Sequence, residues 1–193
     1  NMAFTPDAEF PVIHGEKGII IFDLVKDIDL KGQKDIILKS IKGGNAPNMV
    51  PDYCEAIIET KDPSIVEEKL NKFVKEKNYP LSLEKDGENI KIIAKGISAH
   101  GSTPEKGENA ISYLLAFLEG ILDKNSEVYD FINIYNERIA FKHHGENIGC
   151  GFKDDASGKL NFNPGMIKMD ENQAKLKINI RYPIKSSSQE VYK

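Results

Sequence analysis

An α+β fold is predicted for this chain: a two-layer sandwich in which a mostly antiparallel sheet carries two or three helices on one face. Three features predict it. Strand-like runs joined by tight turns are interleaved with helix-like stretches, an order that suits hairpins packed under helices. The run AKLKINIR at 174–181 puts Ala174, Leu176, Ile178 and Ile180 on one face and Lys175, Lys177, Asn179 and Arg181 on the other, the period of a strand with one dry side and one wet side. From Asp62 onward, Val66, Leu70, Phe73 and Val74 recur at helical spacing, the stripe of an amphipathic helix.

The elements follow in order. GIIIFDLV at 18–25 is a short apolar, β-branched run and predicts a strand buried on both faces. A second strand starts near Asp35, Gly43-Gly44-Asn45-Ala46-Pro47 breaks the chain, and Asp52 to Glu59 resumes a strand pattern. Asp62 then caps a helix with Pro63 in its first turn, Glu67 and Glu68 near its positive end and Lys75 and Lys77 at its close. Strands over Leu81 to Lys85 and Asn89 to Lys95 join through Asp86-Gly87, a favoured hairpin pair. Asn109 caps a helix reaching about Asp123, because its side-chain oxygen can accept a first-turn amide. Ser126 opens another helix, with Val128, Ile132 and Tyr135 on one face. Three strands close the reading, at Ile148 to Lys153, Lys159 to Met166 and Gln173 to Tyr182, with a turn at 154–158.

Composition narrows the function classes. The 193 residues are 40% hydrophobic and 29% charged with a net charge of -4, the profile of a globular chain with material for a sizeable core and no basic field to draw it to phosphates or anionic lipid. Nucleic acid and membrane are therefore not expected partners. No apolar run approaches the roughly 20 residues that a membrane helix needs, and the first residues do not read as a signal peptide. Cys54 and Cys150 follow no metal or redox spacing, so free thiols and a cytoplasmic setting are expected. Asn1-Met2-Ala3 reads as a cloning remnant, and the loop-like start and the ending SSSQEVYK suggest a piece of a longer protein.

Few residues carry chemistry on their own. His100 sits in SAHGSTPEKGENA, a polar loop between a strand and a helix, where Gly101 and Pro104 shape a turn that can hold an imidazole outward. Such a ring can donate to an anionic oxygen or shuttle a proton, and equally it can be a surface histidine in a turn. Arg181 is one of only two arginines among 26 basic residues. Its planar fork suits a carboxylate, although an exposed strand arginine is an equal reading. Asn48 in GGNAPNMVPD can bind a substrate oxygen or close an Asx turn, and Asp7 and Glu9 form a pair of carboxylates in a proline-flanked loop. His143-His144 reads as an exposed turn rather than a metal site. There is no nucleophile elbow, no phosphate-gripping glycine loop and no H-E-x-x-H.

Four segments taken in order change the picture. PDAEFPVIHGEKG at 6–18, NAPNMVPD at 45–52, GISAHGSTPEKGENA at 96–110 and INIRYP at 178–183 resemble landmarks of the zinc dipeptidases of the aminoacylase and carnosinase type, and among these the bacterial peptidase V (PepV) group; GKLNFNPGMI at 158–167 fits it too. In that family a zinc-binding catalytic domain is split in sequence by an inserted lid. The resemblance implies that residues 1–16 flank the first half of the catalytic domain, 17–181 form the lid, enlarged and containing two related subdomains, and 182–193 return toward the second half. It further implies that Asp7 matches a carboxylate ligand of one of two zinc ions, and that His100 matches the lid histidine donating to the oxyanion. Asn48 and Arg181 match substrate-holding residues, the arginine taking the terminal carboxylate of a dipeptide.

The family's His-x-Asp, bridging aspartate, general-base glutamate pair and final histidine ligand have no counterpart here. The expectation is a lid whose partners are a dipeptide and its own catalytic domain, inactive alone and holding no stoichiometric zinc. The lid of an N-acyl amino-acid deacylase, a non-catalytic ligand-binding domain and a dimerisation module are the alternatives.

Overall fold

The computed structural model describes residues 15–29 and 33–192. Among the described residues are nine strands and four α-helices: β1 Gly18–Asp27, β2 Ile36–Gly43, β3 Tyr53–Thr60, α1 Pro63–Lys77, β4 Leu81–Asp86, β5 Asn89–Lys95, α2 Ala110–Glu119, α3 Glu127–Arg138, β6 Lys153–Asp154, β7 Gly158–Lys159, β8 Asn161–Met169, β9 Gln173–Tyr182 and α4 Ser188–Val191. Seven strands make one antiparallel sheet in the order β1-β9-β8-β2-β3-β5-β4, and β6 and β7 pair as a separate small hairpin. The predicted α+β sandwich is the fold.

Alternation along the strands builds one core. Cys54, Ala56 and Ile58 of β3, Ile90, Ile92 and Ala94 of β5, and Ala174, Leu176, Ile178 and Ile180 of β9 turn the same way and are buried under the helices. Each fully buried aliphatic side chain stabilises the fold by about 1.5–3 kcal/mol relative to exposure. α1 begins where Asp62 accepts the Ser64 amide at 3.1 Å, and ends at Asn78 in the left-handed conformation. It touches α2 through Phe73 on Phe117, ring centroids 5.4 Å apart. α2 starts at Asn109 as the cap predicts, and α3 packs on it through a buried Ser112 to Tyr135 hydroxyl contact of 2.9 Å.

Three expectations are corrected. β1 is not buried on both faces: among the described residues it is an edge strand, with Ile19 55%, Ile21 49% and Val25 50% exposed, because β1 itself has nothing packed on the side opposite the helices. No strand spans Ile148 to Lys153; the amides of Ile148 and Cys150 both donate to the Gly145 carbonyl at 3.2 Å, which spends locally the groups a ladder would need, and only Lys153–Asp154 pairs. The 143–144 segment is half-buried, with His144 Nδ1 2.8 Å from the Leu160 carbonyl oxygen. The β4–β5 hairpin is present, its two-residue turn being Gly87–Glu88.

β8 positions the site. Pro164, with no N–H to give, sits at a bulge, and β2 pairs only with Ile167 to Met169. The first half of β8 therefore has β9 on one side and loops on the other.

Candidate functional site

Those loops are the two that carry His100 and Asn48. The Gly101 amide donates to the Asn48 carbonyl at 2.7 Å, the Val50 amide to that of Ala99 at 2.8 Å, and Met49 and His100 form an isolated antiparallel bridge. A single Cβ at Gly101 would lie 3.0 Å from the Asn48 oxygen, and one at Gly165 would lie 2.4 Å from the Pro47 oxygen, so both glycines allow backbones to approach closely. Asn109 adds a tie: its oxygen caps α2 while its Nδ2 donates to the Pro164 carbonyl at 3.0 Å.

His100 is exposed, as the loop reading expects. Its Nδ1 accepts the Ser102 amide at 3.2 Å and lies 2.6 Å from the Ser102 hydroxyl oxygen. An amide can only donate, so in this contact Nδ1 is the acceptor, which favours the tautomer that carries its proton on Nε2. Asn48 is exposed as well. Its side chain closes no Asx turn; the local turn is made by the Met49 amide on the Ala46 carbonyl.

Arg181 lies on the open face of β9, opposite Asn161 of β8 and Ile19 of β1. It is half-buried, and its Nε has no hydrogen-bond partner among the described residues. Lys17 comes beside it: the ammonium donates to Asn161 Oδ1 at 2.6 Å and to the Lys159 carbonyl. Burial lowers the Lys17 pKa from the ordinary lysine value; Asp154 and Glu105 oppose that shift and the Arg181 charge adds to it.

Two more residues complete the floor. Asn163 and Asn179 face each other across β8 and β9, each 1% exposed. Asn163 Nδ2 donates to the Pro47 and Met49 carbonyls at 2.9 Å each, pinning the Asn48 loop to the sheet. Sequence reading passed over both asparagines. The signal was present in AKLKINIR, where a short amide at 179 interrupts a stripe otherwise filled by Lys175, Lys177 and Arg181.

The chain's exit is also anchored. Asp154 accepts the Ala156 amide at 3.0 Å and, from across the fold, the Lys185 amide at 3.0 Å, while the Ile184 amide donates to Ser157 Oγ at 3.0 Å. Hydrogen bonding by backbone amides, led by that of Ser157, pulls the Asp154 pKa down to about 2.

The structure thus brings Asn48 and His100 together directly and sets Arg181 on the strand next to the asparagine that holds their loop. Asp7 lies outside the described residues. Among the described residues no group of three or more histidine, cysteine or acidic side chains could hold a metal ion. A cleft of about 550 Å³ at the opposite end of β2 and β3 is lined by residues including Lys34, Glu59, Asp62 and Asp123 and contains neither histidine nor arginine. Cys54 and Cys150 are buried free thiols. No helix among the described residues is long and apolar enough to cross a membrane.

Residues 88–193 match the M20 peptidase dimerisation domain. The "Putative dipeptidase SH1171" of Staphylococcus haemolyticus is 36% identical over 195 residues, covering 98% of this chain and 41% of the relative. A "Putative dipeptidase" of Staphylococcus epidermidis is 36% identical over 187 residues, covering 94% of this chain and 39% of the relative. The chain thus spans about two fifths of the length of these relatives.

Proposed function

We propose that this chain, which belongs to the M20 peptidase dimerisation domain family, is the substrate-gripping lid of a dipeptidase of the peptidase V type. The observation that carries the reading is the direct backbone union of the Asn48 and His100 loops, at the end of the sheet where Arg181 leaves β9. Dipeptidase comes from the names of the relatives, which this chain matches over nearly its whole length.

In this proposal His100 acts through Nε2–H, donating to the oxyanion that forms when the substrate carbonyl becomes tetrahedral; Nδ1 is engaged by Ser102, so the ring is aimed. Arg181 offers its guanidinium to the free C-terminal carboxylate, which selects short substrates by reading their end. Asn48 presents an amide to a substrate oxygen. Residues 17–181 act as the lid, and 1–16 and 182–193 lead to the catalytic domain. Two zinc ions belong to that domain and would polarise the carbonyl and activate water there; Asp7 is the proposed contribution of this chain to them. The cytoplasm is the proposed setting, supported by the two unpaired thiols.

In the full-length parent, His100→Ala should lower kcat about 100- to 1000-fold with little change in KM. A kcat within a few-fold of wild type would refute the role. This chain alone should leave Leu-Gly intact and release zinc on dialysis, and turnover by it would contradict the lid assignment. Of the two enzyme readings, preference of the parent for dipeptides over N-acyl amino acids selects dipeptidase over deacylase.

The family description and the exposed isoleucines of β1 support a second reading, in which β1 pairs with a second copy. Sedimentation showing a tight dimer that Ile21→Lys dissolves would favour it.

A further inference from the structure

Among the described residues, five buried side-chain nitrogen or oxygen atoms lack a hydrogen-bond partner, and four of them sit in one row: Arg181 Nε, Asn179 Oδ1, Asn179 Nδ2 and Asn163 Oδ1. The row has a matching polarity. A donor on Arg181 is followed by an acceptor and a donor on Asn179 and then by an acceptor on Asn163. Asn163 Nδ2 is already spent on the Pro47 and Met49 carbonyls. Asn179 precedes Arg181 by two residues on the same strand, so both project from one face, and Asn163 is the direct cross-strand partner of Asn179.

Burial of such groups without partners is costly, and more so for a charged guanidinium. These atoms are nearly inaccessible, with less than 1 Å² of exposed surface each. The terminal torsion of asparagine is soft, so its amide plane turns at little cost.

We infer that Asn179 and Asn163 form a hydrogen-bonded relay in which Asn179 positions Arg181. Once the Asn179 amide plane turns to match its neighbours, Arg181 Nε–H donates to Asn179 Oδ1 and Asn179 Nδ2 donates to Asn163 Oδ1, while Asn163 Nδ2 keeps its hold on the loop that bears Asn48 and abuts His100. With Nε held from behind, the two terminal nitrogens of the guanidinium remain as the fork for a ligand, so a carboxylate is met end-on by Nη1 and Nη2. The same relay makes the direction of Arg181 depend on the position of the Asn48 loop. This inference rests on Arg181 being a ligand-holding group, but its test does not.

The chain contains only Arg138 and Arg181 as arginines, so a nitrogen-15-labelled sample gives two Nε–Hε resonances. Arg138 is exposed and serves as the internal control. Arg181 Hε should exchange with water at least about 10-fold more slowly than Arg138 Hε. Asn179→Leu, and independently the smaller Asn179→Ser, should bring the two rates within about twofold. Equal rates in the wild-type chain overturn the relay whether or not either variant folds. Protection that survives in a folded Asn179 variant overturns the assignment to Asn179. Either failure leaves the proposed catalytic role of His100 standing, and loss of that role leaves the relay standing.

Discussion

The open face of β9 has two halves that solve the same problem in opposite ways. In the first, Lys175 and Lys177 stand partly in water and reach Asp23 of β1 at 3.5 and 2.8 Å, with each side chain 29–44% exposed. In the second, Asn179 is sealed with both polar atoms unpartnered and Arg181 is half-buried. Charges that are solvated and paired add little to stability and constrain little else. Polar groups held dry are costly unless something engages them, and they mark where a sheet is built for contact rather than for packing alone.

The comparison breaks first at Ile178, which lies between the halves and points to the helices. Ile178→Ala should destabilise the chain by about 2–5 kcal/mol, because a buried aliphatic is removed and the cavity cannot fully collapse; thermal unfolding would show it. Arg181→Met should cost the parent roughly 10- to 100-fold in its preference for a dipeptide with a free carboxylate over the same dipeptide amide, consistent with about 1.5–3 kcal/mol for hydrogen bonds to a charged group. Because Asn179 Oδ1 would lose its proposed donor, stability should also fall, by about 1–3 kcal/mol, with the fold retained. A lost preference with an unchanged fold would separate the second half of β9 from the core. Lys177→Met on the first half should alter stability by about 1 kcal/mol or less, and substrate preference not at all.

The smallest effect concerns the exit of β9. The Asp154 carboxylate is depressed to about 2 by the amides it accepts, against an ordinary value of about 3.9. Its contribution is present above that ordinary value and is lost as the pH falls through the depressed one. An acid titration should therefore move the Lys185 amide resonance with a midpoint near 2. A midpoint near the ordinary aspartate value would show that the contact between Asp154 and Lys185 is not made in solution.

What was legible in the sequence was whatever a local rule controls. The limits of β9, the Asp62 and Asn109 caps and the buried stripe of α3 follow from periodicity and side-chain hydrogen bonding over a few residues. β1 was misread because an apolar run such as GIII does not reveal whether both faces have neighbours, and that depends on sheet order. Ile148 was misread because β-branching suggested a strand where a turn had already used the amides.

The site divides in the same way. His100 could be placed in an outward loop from its neighbours, and its closeness to Asn48 was implied only by resemblance. Asn179 left only the trace of a short amide in a stripe of long basic side chains, and Asn163 left none, because their meaning lies in a cross-strand register and in the contact of Asn163 with a distant loop.

The central claim is that the imidazole of residue 100 and the guanidinium of residue 181 serve one ligand. It is tested most directly by a crystal structure of the full-length parent with a non-hydrolysable dipeptide analogue bound. The account predicts His100 Nε2 against the oxygen that replaces the scissile carbonyl, with Arg181 on the terminal carboxylate of the same molecule. A bound analogue that touches neither side chain, or only one of them while the other faces solvent, would contradict it.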